Sequence, residues 1–151
     1  MTESNKIKLK IIITGGGTGG HIYPAMAIAK LLQSQGSNVL YVSRPGSLEQ
    51  ELSQTNNIRY QSIDIESFQR KFSFNNFVYP IKFVKAYLQA KKIVSEFKPN
   101  IVFATGGYTI APILFSAFQN KIPYIIHDQT VKHLDQMRLK LTRNFWYQFD
   151  E

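Results

Sequence analysis

Residues 7–14 read IKLKIIIT, alternating apolar and basic positions and then running continuously β-branched. That pattern predicts a strand entering a buried, parallel sheet. Residues 15–20 contain five glycines and end the strand. Pro24 then stands near the start of a helical stretch, AMAIAKLLQSQ, where a missing N–H costs nothing. Ile28, Leu31 and Leu32 give that helix an apolar face, and Gly36 is placed to stop it. A second strand over 39–43 (VLYVS) completes a βαβ unit. Further along, the pattern predicts a short helix over 48–54 and a strand over 58–65. A helix should run through 75–97, beyond Pro80, followed by a strand over 101–105. A helix over 113–119 and a strand over 123–127 close the series. Such alternation predicts an α/β fold, a Rossmann-like parallel sheet with helices on both faces. The pattern lapses over 131–151, a polar stretch ending near Phe145, Trp146 and Tyr147, which reads as one more helix or a poorly ordered tail.

Composition narrows the class. A length of 151 residues suits one domain, and a 44% hydrophobic content excludes an intrinsically disordered chain. With no Cys there is no disulfide framework, thiolate zinc site or cysteine nucleophile, which fits a reducing compartment. No apolar run approaches the roughly 20 residues that span a bilayer, and the polar opening MTESNKIKLK does not read as a signal peptide. Eighteen Lys and Arg against ten Asp and Glu give a net charge of +8, which favours a polyanionic partner: nucleic acid, an anionic membrane face or a phosphorylated substrate.

The glycine loop carries the first candidate chemistry. Gly15, Gly17 and Gly20 satisfy G-x-G-x-x-G between a strand and a helix, where bare N–H groups and a helix N-terminus can seat a phosphate. A dinucleotide site also wants an acidic residue at the end of the second strand, but that strand ends Ser43-Arg44. NAD is thereby disfavoured, and Arg44 leaves only a small opening for an NADP-dependent oxidoreductase. A Walker A loop is excluded, because His21 and Ile22 stand where Lys and Ser/Thr belong. The best reading is an anion or sugar-phosphate site. The alternative is a tight turn without a ligand. His21, at the positive end of the helix, should stay neutral and able to accept a proton. It reads equally well as a general base or as a histidine that caps the helix or donates to a backbone carbonyl.

A second glycine turn, TGGYTIAP over 105–112, again lies between a strand and a helix, so both turns should line one crevice. Its plainer reading is a helix entry with Tyr108 packed nearby. Over 72–92, Phe72, Phe74, Phe77 and Phe83 lie among Lys82, Lys85 and other lysines. Rings flanked by lysines suit an anionic membrane surface, and a core helix with solvated lysines is the competing reading. No nucleic-acid-binding signature is present.

The run GGGTGGHIYPAMAIA over 15–29 closely resembles the opening loop of the MurG family, which transfers N-acetylglucosamine from UDP-N-acetylglucosamine to lipid I, making lipid II. Three further stretches agree in order. SLEQEL over 47–52 is similar to G-L-E-x-x-L, Gly106-Gly107-Tyr108 with Pro112 is similar to G-G-Y-V-S-x-P, and 122–129 is similar to I-P-x-x-x-H-E-Q-N. The resemblance covers about 7–130. It implies the N-terminal half of a GT-B glycosyltransferase, an acceptor-binding domain over 1–130 with a divergent tail over 131–151. Gly16, Gly17, Gly106, Gly107 and Tyr108 would face the acceptor diphosphate, and His21 would be the catalytic base. Thr18, Gly19, Gly20 and Thr130 would face the donor sugar, and the stretch with Phe72, Phe74, Phe77, Lys82, Phe83 and Lys85 would touch the membrane. No cofactor and no metal are implied.

The sequence also departs from that family. Thr109-Ile110 replaces Val-Ser, Thr130 replaces Asn, and residues 131–151 do not match. The donor-binding domain is not represented, so the chain is expected to have little transferase activity alone and to need a donor domain or partner chain. Its expected partners are lipid I and an anionic membrane surface, at the cytoplasmic face of the plasma membrane, with no nucleic acid. The alternative is a noncatalytic membrane-recruiting subunit of a split UDP-sugar glycosyltransferase.

Overall fold

The computed structural model describes residues 8–65 and 79–127. Five parallel strands form one sheet in the order β3-β2-β1-β4-β5. They are β1 (Lys10–Thr14), β2 (Asn38–Ser43), β3 (Arg59–Ser62), β4 (Ile101–Ala104) and β5 (Tyr124–Ile126). The helices are α1 (Gly19–Ser34), α2 (Leu48–Thr55), α3 (Tyr79–Phe97) and α4 (Ala111–Gln119).

The strand order reverses between β1 and β4, the position where ligands bind at the carboxyl edge of open α/β sheets. Thr14 is in register with Ala104, so the two glycine turns leave the sheet side by side.

The central strands are apolar on both faces because both faces are covered. Ile12, Leu40, Val42 and Val102 pack with Ala86, Ala90, Ile93 and Val94 of α3 and with Ile113 and Ala117 of α4. On the opposite face Ile11, Ile13, Val39 and Tyr41 pack with Ala25, Met26 and Ala29 of α1. Alanines at the contact points let α1 and α3 approach the sheet closely. Ile12 and Leu40 are fully buried, and each contributes on the order of 1.5–3 kcal/mol through its side chain.

Within the described residues the expected elements are present; β2 begins one residue earlier than expected, at Asn38, and the other strands are shorter. One local expectation is corrected: α1 begins at Gly19, so Pro24 lies inside it and not at its start. The missing Pro24 N–H leaves the Gly20 carbonyl without its usual intrahelical donor. Phe72, Phe74, Phe77, Thr130 and the stretch 131–151 lie outside the described residues.

Candidate functional site at the carboxyl edge of the sheet

The two glycine turns interlock. Gly16 N–H donates to the Gly106 carbonyl at 3.4 Å, and Thr105 N–H donates to the Thr14 carbonyl at 3.0 Å. Gly106 and Gly107 have φ of +100° and +84°, a region open mainly to glycine. A Cβ on Gly107 would stand 2.1 Å from the Gly16 carbonyl oxygen, so the crossing excludes any side chain. The Tyr108 ring lies against Gly17, where a Cβ would come within 3.2 Å of it, so packing of Tyr108 near the turn is observed.

His21 is the third residue of α1 and partly buried. Its Nδ1 lies 2.6 Å from the Thr105 carbonyl oxygen. A carbonyl can only accept, so Nδ1 carries the hydrogen, and in the neutral ring the Nε2 lone pair is left to accept a proton. Thr105 Oγ1 donates in return to the His21 carbonyl at 2.6 Å. Gly106 is small for the same reason: a Cβ there would meet His21 Cε1 and Nδ1 at 2.8 Å. Both readings of His21 are thus compatible, since donation to a backbone carbonyl is what frees the other nitrogen.

Beneath the first turn lies Glu49, buried although charged, on α2. Its Oε1 accepts from Gly17 N–H at 3.2 Å and from Ser43 Oγ at 3.3 Å. A Cβ on Gly16 would come within 1.9 Å of that oxygen. Tyr41 donates to the Gly15 carbonyl at 2.9 Å, and burial, with the Glu49 charge and Tyr60 adding to it, pushes its hydroxyl well above the usual range. The N–H groups of Gly16 and Gly17 are therefore engaged inside the protein. Gly19 and Gly20 are exposed and open α1, so their N–H groups have no intrahelical acceptor and present the positive end of the helix to solvent. Thr18, also exposed, is the N-cap but makes no side-chain cap bond. Tyr23, 62% exposed, lies over Gly19.

Sequence reasoning assigned no role to Glu49, Tyr41, Thr105 or Tyr23. Gly16 and Ser43, both small, flank the Glu49 carboxylate in space, a proximity that the sequence alone does not signal. Lys82, Phe83 and Lys85 lie in the first two turns of α3, away from the glycine turns; Phe83 is only partly exposed, and Ile81, Val84 and Leu88 form the exposed apolar stripe. Among the described residues, no three His, Cys, Asp or Glu side chains converge to hold a metal, and no helix is long and apolar enough to cross a membrane.

Residues 11–133 match the family model described as the glycosyltransferase family 28 N-terminal domain. The chain is 42% identical over 123 residues to the UDP-N-acetylglucosamine–N-acetylmuramyl-(pentapeptide) pyrophosphoryl-undecaprenol N-acetylglucosamine transferase of Bacillus subtilis, covering 80% of this chain and 34% of the relative. It is 44% identical over 122 residues to the enzyme of that name from Lactococcus lactis subsp. cremoris, with the same coverage. Among solved structures it is similar to MurG of Acinetobacter baumannii, with a TM-score of 0.69 and 33% identity over 80% of this chain and 35% of that one. The chain thus spans about a third of the length of the relatives it matches.

Proposed function

The chain belongs to the glycosyltransferase family 28 N-terminal domain family, and from that premise we propose that it is the acceptor-binding half of an inverting N-acetylglucosaminyltransferase that converts lipid I to lipid II. Its parallel sheet with helices on both faces is the Rossmann-like half of a GT-B glycosyltransferase.

The observation that carries the reading is the His21–Thr105 pair, which leaves Nε2 as a proton acceptor beside a helix N-terminus. The printed name of the relatives specifies an acceptor with a pyrophosphoryl group. Gly16, Gly17, Gly106 and Gly107 keep the floor of the diphosphate seat bare. The exposed N–H groups of Gly19 and Gly20, which the family resemblance gave to the donor sugar, are assigned here to one of the acceptor's phosphates, because the N–H groups of Gly16 and Gly17 are engaged inside the protein. In the reaction, His21 Nε2 takes the proton from the attacking sugar hydroxyl. That oxygen bonds to the anomeric carbon of N-acetylglucosamine from the opposite side as the bond to UDP breaks, and UDP leaves with the electron pair. Tyr108 borders the acceptor seat, and Thr18 faces the donor sugar.

The 151 residues supply the acceptor-binding part of the reaction and span about a third of the relatives' length. The exposed stripe Ile81, Val84 and Leu88, with Lys82 and Lys85 beside it, rests on the anionic membrane that carries the lipid acceptor.

The test is a chimera in which residues 11–127 replace the corresponding third of the Bacillus subtilis relative. The chimera should transfer N-acetylglucosamine to a short-chain lipid I analogue, and His21→Gln should lower kcat about 10²–10⁴-fold with KM little changed. Full activity in His21→Gln would remove the base from the proposal. A chain that binds vesicles but supports no transfer would favour a noncatalytic recruiting subunit.

A further inference from the structure

Glu49 is a buried charge that the transfer step does not use. Among the described residues it is the one Asp or Glu that is buried, at 1% exposure. It stands at the second position of α2, where a helix N-terminus favours negative charge. Ser47 fixes that helix end: its Oγ accepts from Gln50 N–H at 3.4 Å and donates to the Arg44 carbonyl at 2.9 Å. Among the described residues no Lys or Arg forms an ion pair with Glu49. Two neutral donors meet its Oε1 instead, Gly17 N–H at 3.2 Å and Ser43 Oγ at 3.3 Å. Burying a carboxylate without a cation is costly. A neutral Gln in the same place would accept the same two bonds, so bracing the turn does not by itself account for the charge.

The donors show what the charge displaces. In a G-x-G-x-x-G loop that seats a pyrophosphate, the N–H groups of the loop and of the helix start face the ligand. Here Gly16 N–H goes to the Gly106 carbonyl and Gly17 N–H goes to Glu49. A Cβ on Gly16 would stand 1.9 Å from Glu49 Oε1 and 3.0 Å from Ser43 Oγ, so the carboxylate lies directly against the turn. Gly17 N–H thus already binds an anion, and that anion belongs to the protein. A ligand phosphate over the turn would find no free donor at Gly16 or Gly17 and would lie near a fixed negative charge. Gly19 and Gly20, exposed at the head of α1, keep their N–H groups for a ligand.

We infer that Glu49 is a specificity-determining residue, an internal anion that limits the glycine turns to one ligand phosphate, held at Gly19 and Gly20. A nucleotide or dinucleotide that needs the loop N–H groups for a second phosphate loses those contacts at this edge of the sheet. The inference deepens the acceptor reading and rests on it for the identity of the ligand. The limit to one phosphate holds whichever molecule carries it.

The full 151-residue chain, labelled with ¹⁵N, is titrated separately with inorganic phosphate and inorganic pyrophosphate, beside Glu49→Gln and Glu49→Ala. Gln keeps the shape and an acceptor for Gly17 N–H but removes the charge, and Ala also frees that N–H. In the parent chain the amides of Gly19 and Gly20 should shift saturably while those of Gly16 and Gly17 stay still. The ratio of pyrophosphate to phosphate affinity should rise about threefold or more in Glu49→Gln. It should rise further in Glu49→Ala, where the Gly17 amide joins the response. If Glu49→Ala fails to fold, the ratio in Glu49→Gln decides. A carboxylate that only braced the turn would give the opposite, weaker binding of both probes once it is replaced. An unchanged or lower ratio in the variants, with Gly19 and Gly20 still responding, would overturn the role of Glu49 and leave the acceptor seat in place. Variants that bind pyrophosphate at Gly17 beside a parent silent at Gly19 and Gly20 would support that role and count against the seat. Silence in all three chains would overturn it, because the uncharged turn should bind.

Discussion

His21 and Thr105 hold each other twice: the imidazole Nδ1–H donates to the Thr105 carbonyl, and the Thr105 hydroxyl donates to the His21 carbonyl, each at 2.6 Å. The pair clamps the first turn of α1 to the end of β4, across 84 positions of sequence. Thr105→Val keeps shape and carbonyl but removes the hydroxyl donor. It should cost about 1–2 kcal/mol, read as a drop of about 2–8 °C in Tm. The ¹⁵N spectrum of His21 should still show hydrogen on Nδ1. A spectrum with hydrogen on Nε2 would contradict the orientation on which the base role depends.

Two glycines of positive φ differ both in crowding and in backbone, since Gly107, at ψ 167°, lies in a region essentially closed to L side chains. Gly107 and Gly36 have nearly the same φ, +84° and +88°, but a Cβ on Gly107 meets the Gly16 carbonyl while one on Gly36 meets nothing. Gly36→Ala should cost about 1–2 kcal/mol, the penalty for a left-handed residue. Gly107→Ala should cost more than that, on the order of 3 kcal/mol or above, and should loosen the amides of both turns. Urea unfolding of the two variants checks the difference.

How much of this was legible in the sequence differs between fold and site. The strands were plain because runs such as IIIT and VLYVS have nowhere to go but a covered sheet. The start of α1 was not, since glycines and a proline argue locally against a helix that tertiary packing of Ala25, Met26 and Ala29 enforces. His21 stood out by its place after the glycines, but its tautomer depends on Thr105, which only the register of β1 with β4 brings near. Glu49 stood in the stretch SLEQEL that resembles the family's G-L-E-x-x-L, but nothing in that stretch set its role apart from that of neighbours such as Glu51. Its burial under Gly16 arises from the approach of α2 to β2, which no local pattern encodes.

Alkaline pH probes the floor of the site. The Tyr41 hydroxyl is buried, so its ionisation lies above the unfolded value. A group with a raised folded pKa contributes stability that is complete below its unfolded value, near 10, and is lost as pH climbs beyond it. Tyr60, half-buried, is raised for the same first reason and acts in the same direction. Tyr41→Phe should cost about 1 kcal/mol at pH 7, through the lost bond to the Gly15 carbonyl. The variant should lose less stability than the parent between about pH 9.5 and 11, measured by urea unfolding across that range.

The membrane claim rests on α3. Ile81 and Leu88 are 70% and 57% exposed on one stripe of the helix. Ile81→Ser with Leu88→Ser should lower partitioning onto vesicles containing anionic lipid by about tenfold or more, since burial of each side chain contributes on the order of 1 kcal/mol. Stability should barely move, because neither side chain belongs to the core. Sedimentation with vesicles gives the answer, and unchanged partitioning would rule out this stripe as the contact.

The central claim is that the glycine turns and the first turn of α1 form the acceptor seat. Calorimetric titration of the whole chain with a soluble short-chain lipid I analogue tests it most directly, with UDP-N-acetylglucosamine as the parallel titrant and His21→Ala as the companion variant. The account predicts saturable acceptor binding that His21→Ala changes by less than about threefold, because a general base acts mainly in the transition state, with donor binding weak or absent. Donor binding in place of acceptor binding, or no binding of either, would contradict it.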